Sequence, residues 1–179
     1  FFHGVLIRDA TMSEVPNNWI ANCYLALDSS SLNKKSKRIK GKLKIAGQNM
    51  PETATVSIPE LNVNQKVSLN SSGETEFSIE VKNLELWSPD SPKLYEVNLV
   101  AGNDEVHDKI GFRTVETAGK TILLNGKPIF LKGICLHDEN PFRKDRATNL
   151  EDAKMMLEWA QELGCKFNRL PHYPHQENI

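Results

Sequence analysis

The chain has 179 residues, of which 39% are hydrophobic and 25% charged, an ordinary composition for a globular protein with one core or one core plus part of another. Lys and Arg number 22 against 23 Asp and Glu, so the net charge of -1 gives no general reason to expect nucleic acid or an anionic membrane as the partner. No apolar stretch approaches the roughly 20 residues that span a bilayer, which favours a soluble protein, cytoplasmic or periplasmic.

Up to about residue 113, the dominant period of the sequence is two. In residues 38–45, apolar residues and a glycine occupy the odd positions and basic residues the even ones, which is typical of a strand with one wet face. Further strands are predicted at 19–28, 61–69, 77–81 and 94–100, with turn-forming clusters between them. About seven short strands in about 100 residues indicate an immunoglobulin-like β-sandwich, and therefore a mainly β protein.

A different pattern begins after residue 113. Asn125-Gly126 joins two apolar runs, and this dipeptide best tolerates the positive φ angles of a tight hairpin turn. Residues 129–136 then have the pattern of a buried strand, and the polar loop HDENPFRKDRAT follows. The sequence therefore predicts a hairpin and then a strand that ends in a polar loop.

A helix is predicted after this loop. Thr148 stands three residues before Glu151 as a candidate capping box, and a stripe at helical spacing consists of Leu150, Ala153, Leu157 and Ala160. Gly164 is placed to end the helix, and residues 166–170 have the pattern of another short strand. This order of elements indicates the first βα unit and the second strand of a (β/α)8 barrel.

Both predicted barrel strands are followed by polar clusters, CLHDENPF and RLPHYPHQ. In a (β/α)8 barrel the active site is built where the strands end, so these clusters are expected to share one mouth. Its candidate residues are His137, Asp138, Arg169 and His172. A zinc site from His137, His172 and His175 has the right ligand count, but no short ligand pair fixes its geometry, so no metal site is expected.

The cysteines and two tryptophans are assigned to the interior. Cys23, Cys135 and Cys165 lie in apolar runs without C-x-x-C spacing, which favours buried free thiols over disulfides or zinc ligands. Trp87 and Trp159 are most simply core residues.

The segments GFRTVE, ILLNGKPIFLKGICLHDENP and LEWAQELGCKFNRLPHYPH together resemble glycoside hydrolase family 2, the family of β-galactosidases, β-glucuronidases and β-mannosidases. LWSPDSPKLYEVNL is similar to the late part of that family's immunoglobulin-like domain, and HGVLIRDATMSEVP resembles the last strand of the jelly-roll sugar-binding domain before it. The resemblance implies that residues 1–14 are the tail of a jelly-roll domain, residues 15–113 the sandwich, and residues 114–179 the start of a truncated catalytic barrel.

The resemblance also implies a reaction. Family members retain configuration through a covalent glycosyl-enzyme, using an acid/base Glu and a nucleophilic Glu on later barrel strands. Those strands are absent from this chain, and neither Glu139 nor Glu177 matches the family's catalytic motifs. We therefore expect a fragment of a retaining exo-β-glycosidase that has no catalytic residue of its own and is inactive by itself.

Three residues match supporting positions of the family, and Asp138 stands beside one of them. Arg169 matches the arginine that hydrogen-bonds the nucleophilic carboxylate, which would keep that group ionised and aimed. His137 and His172 match the histidines that reach sugar hydroxyls, and Asp138 beside His137 would orient a partner or a hydroxyl. The resemblance implies a carbohydrate partner and no cofactor, with a bound Mg or Na ion and homo-oligomerisation left as options for the full-length enzyme.

Two departures from the family pattern lie next to the expected sugar site. Leu170-Pro171 stands where many members have small or polar residues, and Cys135-Leu136 stands where Asn is common. A terminal β-galactoside is the first choice of substrate, and a β-glucuronide or β-mannoside is the alternative. A non-catalytic carbohydrate-binding or structural β-sandwich module remains the alternative from another functional class.

Overall fold

A computed structural model describes residues 12, 14–137, 140–142 and 149–170. The chain folds into two compact units. The sandwich unit is Ser13–Ile129, and the parallel unit contains the described residues of Phe130–Ile179. No helix within the described ranges is long and apolar enough to cross a membrane.

Seven antiparallel strands form the two sheets of the sandwich itself. They are β1 (Asn18–Leu27), β2 (Lys37–Gly47), β3 (Thr53–Ile58), β4 (Val63–Ser68), β5 (Glu74–Val81), β6 (Tyr95–Ala101) and β7 (Asp104–Ile110). One sheet has the order β1-β2-β5 and the other the order β4-β3-β6-β7. The helical turns described within this span are two three-residue 3-10 helices, Ser29–Ser31 and Pro59–Leu61. The predicted β-sandwich is confirmed.

The alternating pattern of β2 explains how the sandwich forms its core. Ile39, Leu43 and Ile45 are at most 3% exposed, and they belong to one hydrophobic cluster that draws on both sheets. Gly41 interrupts this apolar series because it pairs with Phe77 of β5, whose ring would lie 2.1 Å from a Cβ at position 41. A glycine in a strand often marks such a close approach.

The hairpin after residue 113 belongs to the sandwich unit. Its strands are β8 (Val115–Ala118), β9 (Thr121–Leu124) and the two-residue β10 (Lys127–Pro128). Asn125 and Gly126 have φ angles of 52° and 74°, so the predicted turn is confirmed. The Asn125 side chain accepts a hydrogen bond from the Thr114 amide at 3.0 Å and donates one to the Trp87 carbonyl at 3.0 Å.

The parallel unit contains β11 (Gly133–Cys135), helix α1 (Leu150–Glu162) and β12 (Phe167–Arg169). The first strand is shorter than the predicted 129–136, and Phe130 is 85% exposed. The capping prediction is wrong by one residue, because Asn149 is the N-cap and its side chain accepts a hydrogen bond from the Asp152 amide. This replaces Thr148, which lies outside the described residues.

The buried face of α1 also differs from the predicted stripe. Ala153 and Ala160 are buried as expected, but Met156 completes the face, while Leu150 and Leu157 are exposed. With 3.6 residues per turn, the two leucines lie about a quarter turn from the centre of the buried face. Trp159 is 39% exposed and Trp87 is half-buried, so a fully buried core position is wrong for both.

The C-terminal end of α1 is confirmed at Gly164. Its φ angle is 70°, its amide donates to the Gln161 carbonyl, and the Cys165 amide donates to the Ala160 carbonyl. These two bonds form a Schellman motif, which satisfies carbonyls that the helix itself leaves unpaired. The cysteines are free as predicted, but Cys135 is exposed and the other two are only half-buried, so the prediction of buried thiols is wrong for Cys135.

Replacing Asn125 with Ala should destabilise the sandwich unit by about 2–4 kcal/mol, because two hydrogen bonds are lost and alanine disfavours a positive φ. Asn125→Gly is the matched control, since it loses the same hydrogen bonds but adopts the turn without strain. Urea unfolding followed by circular dichroism measures both. An Asn125→Ala free energy of unfolding within about 0.5 kcal/mol of the unmodified chain would contradict this account of the turn.

Candidate active site

The two strands of the parallel unit run in the same direction and end at the same edge. Gly133 pairs with Phe167, Ile134 with Asn168, and Cys135 with Arg169. The Lys166 amide donates to the Lys132 carbonyl at 2.8 Å, and the Leu136 amide donates to the Arg169 carbonyl at 3.0 Å. A helix lies between the strands in sequence, so β11, α1 and β12 form one βαβ unit.

The two strands approach each other so closely at Gly133 that only a glycine fits there. A Cβ on Gly133 would lie 2.2 Å from the Phe167 carbonyl oxygen, a distance that no ordinary side chain could accept. At the C-terminal end of α1, the Lys132 ammonium donates a hydrogen bond to the Leu163 carbonyl at 2.7 Å. A cation is favourable there because the last carbonyls of a helix carry partial negative charge.

Two of the four predicted site residues can be placed in the structure. Arg169 is the last residue of β12, and His137 follows β11 by two residues, and both are exposed. The bond from the Leu136 amide to the Arg169 carbonyl brings the two segments together at the ends of the strands. Asp138 and His172 lie outside the described residues, so their positions stay predictions.

The structure adds one contact at this edge that the sequence did not predict. Nη1 of Arg169 donates a hydrogen bond to Sγ of Cys135, with 3.4 Å between the atoms. The two residues are partners in the parallel ladder, which places their side chains on the same face of the pair. The contact follows from the register of β11 against β12, which pairs Cys135 with Arg169. The sequence alone does not determine that register.

A buried network ties the loop after β11 to the first turn of α1. Asn140 donates from Nδ2 to Oδ1 of Asp152 at 2.7 Å, and both residues are at most 7% exposed. Oδ1 of Asn140 accepts from the Phe142 amide at 2.8 Å, and the Phe142 ring meets Trp159 edge-on at 5.8 Å. This network holds Asn140 and Phe142 against the helix. The sequence alone does not reveal it, because Asn140 is one polar residue in a polar segment.

The described ranges contain no cluster of three or more His, Cys, Asp or Glu side chains that could hold a metal ion. The chemistry available at the described edge is therefore that of a guanidinium, a thiol and an imidazole. A guanidinium pairs well with carboxylates, and an imidazole can donate to or accept from a hydroxyl.

Comparison with known proteins identifies the family. The family model described as glycosyl hydrolases family 2 matches residues 7–113, more than half of the chain. The chain belongs to glycosyl hydrolases family 2. The match covers the sandwich strands and ends before the parallel unit.

Curated relatives extend the similarity along the chain. A β-galactosidase from Streptococcus thermophilus is 37% identical over 114 residues, which are 61% of this chain and 11% of that protein. A β-galactosidase from Clostridium acetobutylicum is 28% identical over 185 residues, which are 98% of this chain and 20% of that protein. The chain thus spans only 11% to 20% of the length of these two curated relatives.

A solved family 2 structure shares the fold. The β-galacturonidase from Eisenbergiella tayi, bound to galacturonate, superposes with a TM-score of 0.74 and 27% identity. The superposition covers 92% of this chain and 30% of that one.

The Asn140 network generates a stability prediction. Replacing Asn140 with Ala should destabilise the parallel unit by about 1–3 kcal/mol, because the buried Asp152 carboxylate loses a hydrogen-bond donor and the Phe142 amide loses its acceptor. Hydrogen exchange at the amides of the first turn of α1 measures the effect. Gln161→Ala, on the exposed surface of the same helix, is the control and should leave exchange nearly unchanged. Equal exchange in the two variants would show that the network does not anchor the loop.

Proposed function

We propose that this chain is part of a retaining exo-β-glycosidase that hydrolyses terminal β-galactosides in oligo- or polysaccharides. In this proposal residues 15–113 form an immunoglobulin-like domain, and β11, α1 and β12 begin the (β/α)8 catalytic barrel. The observation that carries the proposal is the parallel pairing of β11 with β12, which sets Arg169 and the segment leading to His137 at one strand-end edge. Barrel active sites are built at that edge.

The roles of the residues follow from their chemistry. Arg169 supports the nucleophilic carboxylate, because a fixed guanidinium nearby favours the ionised form of a carboxyl group and restricts its orientation. His137 and His172 hydrogen-bond hydroxyls of the terminal sugar, and Asp138 orients one of these contacts. The acid/base and the nucleophile are glutamates on later strands of the barrel, so the 179-residue chain supplies supporting residues and no proton-transfer group.

The substrate class rests on the relatives. The two curated relatives are β-galactosidases, which favours a galactoside. The Eisenbergiella tayi enzyme was solved with galacturonate bound, which favours a β-uronide, such as a glucuronide, as the second candidate. A glucuronide differs from a galactoside by a carboxylate at C6 and by the opposite configuration at C4. Faster turnover of nitrophenyl β-galactoside than of nitrophenyl β-glucuronide by the whole enzyme would favour the first candidate, and the reverse would favour the second.

The role of the strand-end edge is tested in the whole enzyme by kinetics. Arg169→Ala should lower kcat by about 30- to 150-fold with little change in KM, since a charge-assisted hydrogen bond to the nucleophile is lost. His172→Ala should impair both kcat and KM, because its sugar hydroxyl is present throughout the reaction. Steady-state kinetics and inhibitor binding measure both effects.

The control is Arg38→Ala, which removes an arginine from the outer face of β2 and should leave turnover unchanged. If Arg169→Ala and His172→Ala both keep near-wild-type turnover while the protein stays folded, the strand-end edge has a structural role only and is not part of the active site. The chain would then be better described as a non-catalytic carbohydrate-binding or structural module.

A further inference from the structure

Cys135 occupies a position that the proposed mechanism leaves without a role. It is the last residue of β11, its side chain is exposed, and its partner across the ladder is Arg169. Family members commonly have Asn near this point, so the thiol is one of the two departures beside the expected sugar site. This departure contacts a residue of the proposed site, because Arg169 Nη1 lies 3.4 Å from Cys135 Sγ.

We propose that Cys135 is a positioning residue that orients the guanidinium of Arg169 toward the nucleophilic carboxylate. This inference rests on the proposed function, in which Arg169 meets that carboxylate. An arginine side chain has four rotatable bonds and loses conformational entropy when it is fixed. An acceptor that already binds one nitrogen removes part of this entropy loss before the substrate arrives. The guanidinium has five N–H donors, so others remain for the carboxylate.

The backbone makes this contact a fixed feature of the edge. Cys135 and Arg169 are held in register by the ladder, and the Leu136 amide bonds to the Arg169 carbonyl immediately beyond it. The narrow approach of Gly133 to the Phe167 carbonyl disfavours a side chain at the start of β11. The register of the two strands thus places the thiol beside the guanidinium.

The chemistry of the thiol limits the size of the effect. A thiol sulfur is a weak acceptor with a longer bond than oxygen, so it orients the guanidinium without competing strongly for it. An asparagine at this position would present an amide oxygen, which is a better acceptor. Cys135 therefore takes part in no bond-making step, and an asparagine placed there would still offer the guanidinium an acceptor.

The test is a double-mutant cycle in the whole enzyme. Cys135→Ala should lower kcat by about 3- to 10-fold with KM nearly unchanged, the range expected for one hydrogen bond. It should also move the acidic limb of the pH profile of kcat/KM to higher pH, because a less well placed guanidinium stabilises the ionised nucleophile less. Cys135→Asn should restore both kcat and the pH profile.

Arg169→Ala completes the cycle. In that background, Cys135→Ala should change kcat by less than about twofold, since a residue that acts through Arg169 has nothing left to orient. Cys165→Ala is the matched control, because Cys165 is also a free thiol of the parallel unit but lies beyond the C-terminal end of α1, and it should leave kcat unchanged.

Two results would overturn the inference. In the first, Cys135→Ala retains the wild-type kcat and pH profile although Arg169→Ala loses turnover, and then only the positioning role fails. In the second, the effects of Cys135→Ala and Arg169→Ala multiply, which shows that Cys135 acts independently of Arg169. If Arg169→Ala itself keeps full turnover, the proposed function fails first, so the two failures are distinguishable.

Discussion

The parallel pairing of β11 with β12 is the constraint on which the functional account depends. Only three residue pairs define it, yet it determines that both strands end at one edge and that Cys135 faces Arg169. The pairing is supported at both ends, by the Lys166–Lys132 and Leu136–Arg169 hydrogen bonds. Without this register, the ends of β11 and β12 would not meet and Cys135 would not lie beside Arg169.

Two further features hold the segments next to β11 and β12 in place. The Schellman motif at Gly164 ends α1 and directs the chain into β12. The buried Asn140–Asp152 hydrogen bond connects the loop after β11 to the start of the helix. Ordered supports of this kind matter because a side chain that positions another group must itself be held to within a fraction of an ångström.

The sandwich could be predicted well from the sequence because its pattern is local. In β2, every second residue faces the core and the residues between them face solvent. A pattern of period two therefore shows directly which face of the strand is buried. The turn at Asn125-Gly126 and the helix end at Gly164 were also predictable, since both need a positive φ that few residues adopt. The family predicted from the motifs of residues 111–175 is confirmed by the family model, which matches residues 7–113.

Features that depend on tertiary contacts could not be predicted. The buried face of α1 includes Met156 and leaves Leu150 and Leu157 exposed. The N-cap at Asn149 is by contrast a local feature, since its side chain accepts from the amide of Asp152 three residues later. Cys135 looked like a buried thiol in an apolar run, but the register of β11 places it beside Arg169 on an exposed face. The positions of Asp138 and His172 lie outside the described residues, so their roles stay predictions.

The most direct test of the account is a crystal structure of the whole enzyme with its glycosyl-enzyme trapped by a 2-fluoro β-galactoside. We expect a nitrogen of the Arg169 guanidinium within about 2.7–3.2 Å of the carboxyl group that carries the sugar, with Cys135 still beside the guanidinium. A trapped sugar on a carboxyl group far from Arg169, with the ends of β11 and β12 remote from it, would contradict the account.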